Sequence, residues 1–247
     1  MLRRGLVKIG QVLGEWEKFK VIPESWQISY SAFGGRDLKF NIKPMVFKHT
    51  GLFPEQAANW DWMIEKITKK KEESDAPVKV LNLFAYTGGA TVACLAAGAE
   101  VCHVDSSKGM TTWAKENVAS SGLLDAPVRY IVDDVLKFVE REIRRGNKYD
   151  AIVMDPPSYG RGAKGEVWKF EDDIEKLVNK CSKILADKPL FFLINSYTTG
   201  VEPKDIADVL QKNLSKFKGF VECDRIGLAT KGTKKKLSCG IYGRWFF

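Results

Sequence analysis

VKVLNLFAYTGGATVACLAAGAEVCHVD (78–105) is the segment on which the fold turns. It opens on a short run of branched and apolar residues and passes through Gly88–Gly89. An alanine-rich stretch follows, then a second apolar run that closes at Asp105. A strand, a glycine turn, a buried helix and a second strand account for this order. The uncharged part, 80–99, is long enough to span a membrane. The glycines at 88, 89 and 98 divide it, and favour the strand–turn–helix reading.

Outward from this segment, apolar runs at 79–84, 101–105, 128–132, 150–155 and 190–195 read as strands. Helical patterns lie between them. The clearest is 171–185, where Ile174, Leu177, Val178, Cys181, Ile184 and Leu185 form one stripe. Another begins at Pro203 and carries Ile206, Val209, Leu210, Leu214 and Phe217. Such alternation predicts an α/β fold with a parallel sheet buried on both faces. The last two runs, 219–227 and 238–246, have no helix between them and are expected to pair antiparallel. Upstream, residues 1–50 read as a small β-rich region with a turn at Gly34–Gly35. Pro54 opens a helix with Trp60, Met63, Ile64 and Ile67 on one face, and the charged tract KKKEESDAP (69–77) reads as a linker. The expected organisation is 1–50, then 51–77 as helix and linker, then a main domain over 78–247.

Net charge is +8, from 39 Lys and Arg against 31 Asp and Glu, which suits a polyanionic partner. Cysteines at 94, 102, 181, 223 and 239 show no C-x-x-C spacing, so a reducing, cytoplasmic setting is expected. His49 and His103 are the two histidines, too few for a multi-histidine metal site, and no metal is expected. The basic N-terminus lacks the long apolar core of a signal peptide.

Open parallel sheets bind ligands beyond the carboxyl ends of their strands. At the first strand, Gly88 and Gly89 let backbone approach a ligand at a helix start, although a plain tight turn has the same signature. At the second, Asp105 can accept both hydroxyls of a ribose; the bland alternative is an Asp beside the Ser106–Ser107 helix cap. The dinucleotide fingerprint G-x-G-x-x-G is missing here, which favours a cofactor without pyrophosphate such as S-adenosylmethionine. At the third, Asp133, Asp134 and the amide of Val135 can read the amino edge of adenine, or are two acids at a helix start. At the fourth comes Asp155-Pro156-Pro157-Ser158-Tyr159. The prolines remove two N–H donors, leaving Asp155 and the Pro156 carbonyl to accept from an amino group, while Tyr159 can stack on an extruded base. A structural Asp-Pro-Pro turn is the alternative. The following loop carries Arg161, Lys164 and Lys169 among three glycines and could close over a phosphate backbone, or be a solvated loop.

Residues 78–200 resemble a class I S-adenosylmethionine-dependent methyltransferase. From about residue 45 onward the chain is similar to the bacterial 23S ribosomal RNA large-subunit methyltransferases, through HTGLFPEQ (49–56), NLFAYTGG (82–89), VDDVLKF (132–138), MDPPSYGRG (154–162) and GIYGRW (240–245). The resemblance implies a Rossmann-like, seven-stranded, mostly parallel sheet with an antiparallel last strand. It implies that Tyr86, Thr87, Gly88 and Gly89 hold the methionine part of the cofactor, Asp105 the ribose and Asp134 the adenine. Asp155, Pro156 and Pro157 would face the methyl group and substrate, and Phe53 and Gln56 would touch the cofactor. Phe84, Ala85, Ser106, Asp133 and Val135 complete the candidate set. Two departures stand out. Residues 1–50 are short for an added RNA-binding domain. Where relatives that methylate cytosine carbon-5 place a nucleophilic Cys, this chain has Thr198. Cys181 and Cys239 read as structural. The expected activity is methyl transfer to a base of RNA, ribosomal RNA above all, at nitrogen rather than cytosine carbon-5. A protein or small-molecule acceptor and a non-catalytic RNA-binding relative are the alternatives.

Overall fold

A computed structural model describes residues 2–4, 16–18, 20–45, 49–161, 166–233 and 235–247. The short strands β1 (Leu2–Arg4) and β2 (Trp16–Lys18) pair antiparallel. A longer hairpin follows, β3 (Trp26–Ala32) and β4 (Arg36–Ile42), turning through Phe33–Gly35. One 3-10 turn, Pro54–Gln56, leads into helix α1 (Ala57–Glu73). The tract 69–77, expected as a linker, is therefore helix as far as Glu73. Its lysines lie along a helix that is already anchored by Trp60, Met63, Ile64 and Ile67 in the core.

The chain then alternates: β5 (Lys79–Leu83), α2 (Gly89–Ala96), β6 (Glu100–Asp105), α3 (Lys108–Ser120), β7 (Val128–Val132), α4 (Val135–Arg145) and β8 (Ala151–Met154). A small hairpin, β9 (Tyr159–Arg161) with β10 (Val167–Lys169), precedes α5 (Phe170–Ser182). The chain continues with β11 (Phe191–Ser196), α6 (Pro203–Leu214), β12 (Phe220–Ala229) and β13 (Lys236–Phe246). Helix α5 stops at Ser182, short of the expected 185; Ile184 and Leu185 are buried in the connection beyond it, where Leu185 bridges Tyr149.

Seven strands form one sheet in the order β12-β13-β11-β8-β5-β6-β7. The strands β11, β8, β5, β6 and β7 run parallel, and β13 runs antiparallel to both of its neighbours. Alternate residues feed opposite cores, as the period of a strand requires. Leu81, Ile152 and Phe192 join Phe138, Leu177 and Leu210 under α4, α5 and α6. Val80, Val153 and Leu193 join Trp60, Ile64, Val92 and the hairpin residues Leu38 and Phe40 on the other face. The β3–β4 hairpin thus shares the sheet's core. The order reverses direction at β5, which lies between β8 and β6. That switch point opens a crevice at the strands' carboxyl ends. Among the described residues no helix is long and apolar enough to cross a membrane.

Candidate active site

The crevice is lined by the turn after β5, the end of β8, the end of β11 and the segment entering α1. Its walls include Phe53, Gln56, Phe84, Tyr86, Thr87, Gly89, Asp155 and Asn195. Seven of these eight are among the residues expected from sequence, and Asn195 is the addition.

The β5–α2 turn is unusual in its backbone. Phe84 and Tyr86 sit at φ +53° and +51°, and Gly88 at +81°. Non-glycine residues enter this region at a cost of about 1–2 kcal/mol each. Neighbouring elements hold them there. The Ala85 N–H donates to the Val104 carbonyl at 3.1 Å and the Gly88 N–H to the Ala85 carbonyl at 2.9 Å. The Tyr86 N–H donates to Asp105 Oδ2 at 2.8 Å. Thr87 Oγ1 donates to the Gly51 carbonyl at 2.5 Å, and Asn117 Nδ2 donates to the Thr87 carbonyl at 2.8 Å. Gly89 faces the Trp60 ring so closely that a Cβ would lie 2.9 Å from it. The turn therefore presents backbone, not side chain, to the crevice, at the start of α2 where the first amides have no intrahelical partner.

Asp105 closes β6. Its second oxygen, Oδ1, accepts the Ser107 N–H at 2.8 Å, so each carboxylate oxygen has one protein donor and one position to spare. Burial raises its pKa, and the two N–H groups oppose that rise. The next strand end is adjacent: the Asp133 N–H donates to the Asp105 carbonyl at 3.1 Å. Asp133 pairs with Arg141, and its Oδ1 accepts the Asp134 N–H at 2.8 Å. Asp134 caps α4 by accepting the Lys137 N–H at 3.0 Å. Asp105 and Asp133 thus stand side by side at the sheet's edge, and Asp134 serves as the cap of the next helix.

At the end of β8, no described residue donates a hydrogen bond to the Asp155 carboxylate, and its pKa is raised to about 7 by burial and by the negative charge of Glu55. Glu55 is itself buried. Tyr197 completes this corner: its hydroxyl accepts from Gln56 Nε2 at 2.8 Å, and its ring packs 5.4 Å from Phe53. Burial and the two acids push the Tyr197 hydroxyl well above the ordinary phenol range. Pro157 spends its carbonyl on Trp168 Nε1 at 2.7 Å. The Pro156 carbonyl has no described donor, and Tyr159 stands 51% exposed just beyond. Among the described residues no Lys or Arg lines the crevice.

This electrostatic pattern is a test of the cofactor. A buried acid, Glu55, and a half-buried one, Asp155, with no basic partner among the described residues and with Phe53, Tyr86 and Tyr197 around them, favour a ligand carrying positive charge. S-adenosylmethionine carries a sulfonium and an ammonium, and the residues fit it.

A family model described as S-adenosylmethionine-dependent methyltransferase matches residues 19–202. The chain belongs to this family. Ribosomal RNA large subunit methyltransferase K of Neisseria meningitidis serogroup B is 30% identical over 160 residues, which cover 64% of this chain and 43% of that protein. Ribosomal RNA large subunit methyltransferase I of Klebsiella pneumoniae is 40% identical over 85 residues, 34% of this chain and 21% of that one. The chain spans less than half the length of these relatives. Among solved structures, a SAM-dependent methyltransferase from Agrobacterium tumefaciens superposes with a TM-score of 0.85 at 35% identity, covering 95% of this chain and 74% of that one.

Two residues of this crevice and its corner, Glu55 and Asn195, are not among those expected from sequence. Glu55 stands between Pro54 and Gln56 in the HTGLFPEQ motif, and its proximity to Asp155 arises only when α1 packs against the sheet. Asn195 accepts from Asn59 Nδ2 at 2.8 Å, and Asn59 in turn accepts from Arg244 Nη2 at 2.6 Å. The sequence signal for Asn195 is that it directly follows the apolar run 190–194. Of the expected basic residues, Arg161 and Lys169 lie on the β9–β10 hairpin rather than on an open loop. Lys169 is 3.9 Å from Asp172, and Lys164 lies outside the described residues.

Proposed function

We propose that this protein methylates a base of RNA, with ribosomal RNA as the substrate, and that it acts on nitrogen in the cytoplasm. The observation that carries this is the Asp155-Pro156-Pro157-Ser158-Tyr159 corner. It offers a carboxylate and a carbonyl that have no hydrogen-bond donor among the described residues, beside an exposed aromatic ring. An exocyclic or ring nitrogen bearing hydrogen matches those acceptors, and Tyr159 supplies a stacking face for a base taken out of its helix. The names of the relatives support ribosomal RNA as the substrate class.

When bound, S-adenosylmethionine supplies an electrophilic methyl carbon. The protein's own residues then have to place a nucleophile in line with it. Tyr86, Thr87 and the glycine turn would hold the methionine end with Phe53 and Gln56, while Asp105 would take the ribose hydroxyls with its two free acceptor positions. Asp133, Asp134 and the Val135 amide would border the adenine, with Ser106 beside them. Asp155 would orient the acceptor nitrogen and receive its proton.

Nitrogen is favoured over cytosine carbon-5 because the latter needs a thiolate to add to the ring first. Thr198 Oγ1 donates instead to Ser158 Oγ at 2.9 Å, tying the β11 end to the Asp155 corner. Cys181 is fully buried, and burial raises the thiols of both Cys181 and Cys239. Tritium transfer from labelled cofactor to ribosomal RNA of cells lacking the gene, followed by nucleoside analysis, tests the proposal. Label in a nitrogen-methylated base is expected; label in 5-methylcytosine, or none in RNA, overturns it.

A further inference from the structure

We propose that the β12–β13 ribbon is an arm that grips the RNA phosphate backbone beside the active site; this rests on RNA being the substrate. The register defines the arm. Strand β13 pairs with β11 from Phe246 back to Ile241, which faces Ser196, the last residue of β11. Residues Lys236–Gly240 pair with β12 alone. At about 3.4 Å per residue the ribbon overhangs the carboxyl edge of the sheet by roughly 15 Å before its turn. That edge is where the crevice opens.

The base of the arm touches the site. Gly240 lies against the Ser196 carbonyl and the Tyr197 ring, where an added Cβ would come within 2.8 Å of each. A break in register between Ile226 and Gly227 marks where the ribbon leaves the sheet; such bulges increase twist and re-aim a strand. Ile226 is buried, and from Leu228 to Ser238 every described residue is exposed. The ribbon therefore adds nothing to the core. It closes through its own bonds instead: the Thr230 N–H donates to the Lys235 carbonyl at 3.0 Å, and the Lys235 N–H to Thr233 Oγ1 at 3.1 Å.

Charge names the occupant. No Asp or Glu occurs in the sequence from Arg225 to Phe247, while Lys231, Lys235 and Lys236 lie in or beside the turn and Lys234 is their neighbour in sequence. Arg225, at the base, pairs with Glu202. Lys231, Lys235 and Lys236 have no ion-pair partner among the described residues, and Lys234 lies outside them. The β9–β10 hairpin differs: it has Glu166 paired to Lys137, and Lys169 near Asp172. Unpaired, exposed lysines on a self-closed ribbon beside an acidic crevice suit a polyanion that must be drawn to that edge.

The test uses the full chain, a fluorescein-labelled single-stranded RNA of mixed sequence, and anisotropy over a salt series. The comparison is with Lys231→Gln/Lys235→Gln/Lys236→Gln. At about 0.7 per single-stranded contact, three lost contacts reduce the slope of log affinity against log salt by about 2 and weaken binding roughly 100-fold at about 0.1 M salt. Cofactor affinity by calorimetry stays at the wild-type value, which shows that the variant is folded. Lys231→Gln alone, in the turn, lowers the slope by about 0.7 and reads the same contact without three changes at once. Unchanged slope and affinity in the triple variant, with wild type binding RNA, overturn the arm and leave the substrate class standing. No RNA binding by the wild type overturns both.

Discussion

The Asp105 carboxylate accepts the backbone N–H of Tyr86 at 2.8 Å, and Tyr86 is one of the two non-glycine residues of the β5–α2 turn at positive φ. One acid thus secures a strained turn with one lone pair and keeps others for a ligand. Loss of Asp105 should act twice, on the turn and on the ligand. Asp105→Ala is expected to weaken S-adenosylmethionine binding by about 1.5–3 kcal/mol, roughly 10- to 150-fold. Isothermal calorimetry reads this directly, and NAD should not compete.

Asp155 should impose a pH dependence. Its folded pKa, about 7, lies above the ordinary 3.8. The folded state therefore holds a proton that the unfolded state releases. Stability from this group is complete below 3.8, declines as pH rises toward 7, and is level above. Methyl transfer, for which we propose the anion as proton acceptor, should rise over the upper part of the same interval. Asp155→Asn should abolish the pH-dependent rise along with the activity. Glu55→Gln should move the midpoint of the rate profile to lower pH, because it removes the negative neighbour. A midpoint that stays put in Glu55→Gln would show that the two acids are not coupled.

The glycine turn is equally exposed to test. Gly88 has φ +81°, and a Cβ there would lie 2.9 Å from Ala114 Cβ on α3. Gly88→Ala should cost about 1–2 kcal/mol of stability from the backbone alone. Cofactor affinity should fall as well, since relief requires the turn or α3 to move. Thermal denaturation with and without S-adenosylmethionine separates the two effects.

Cysteine should be dispensable for chemistry. RNA containing 5-fluorocytosine is expected to form no denaturation-resistant adduct. Cys239→Ala and Cys181→Ala should both retain transfer, the latter with a modest loss of stability from the core cavity. An adduct that disappears in either variant would restore the carbon-5 route.

Much of the architecture was legible before any coordinates. The strands β5, β6, β7, β8 and β11 are short apolar runs separated by helical stripes, and a sheet buried on both faces admits no other spacing. Ligands of such sheets bind at the strands' carboxyl ends, so Gly88, Asp105 and Asp155 are candidates as soon as the strands are placed. The end of α1 is not legible in sequence because Lys69–Glu73 carry no apolar signal; the helix is held by its earlier residues, and the charged turns follow. What sequence could not decide depends on packing between elements far apart in the chain. Glu55 meets Asp155, and Asn59 meets both Asn195 and Arg244, only after α1 docks beside β11 and β13. The overhang of the β12–β13 ribbon is likewise a matter of register. Two runs of similar length announce a hairpin, but the point at which β11 ends against Ile241, set by the sheet, decides that the lysines project beyond the active edge. Local periodicity records which face of a residue's own element is buried; it carries no information on which distant side chains share that burial.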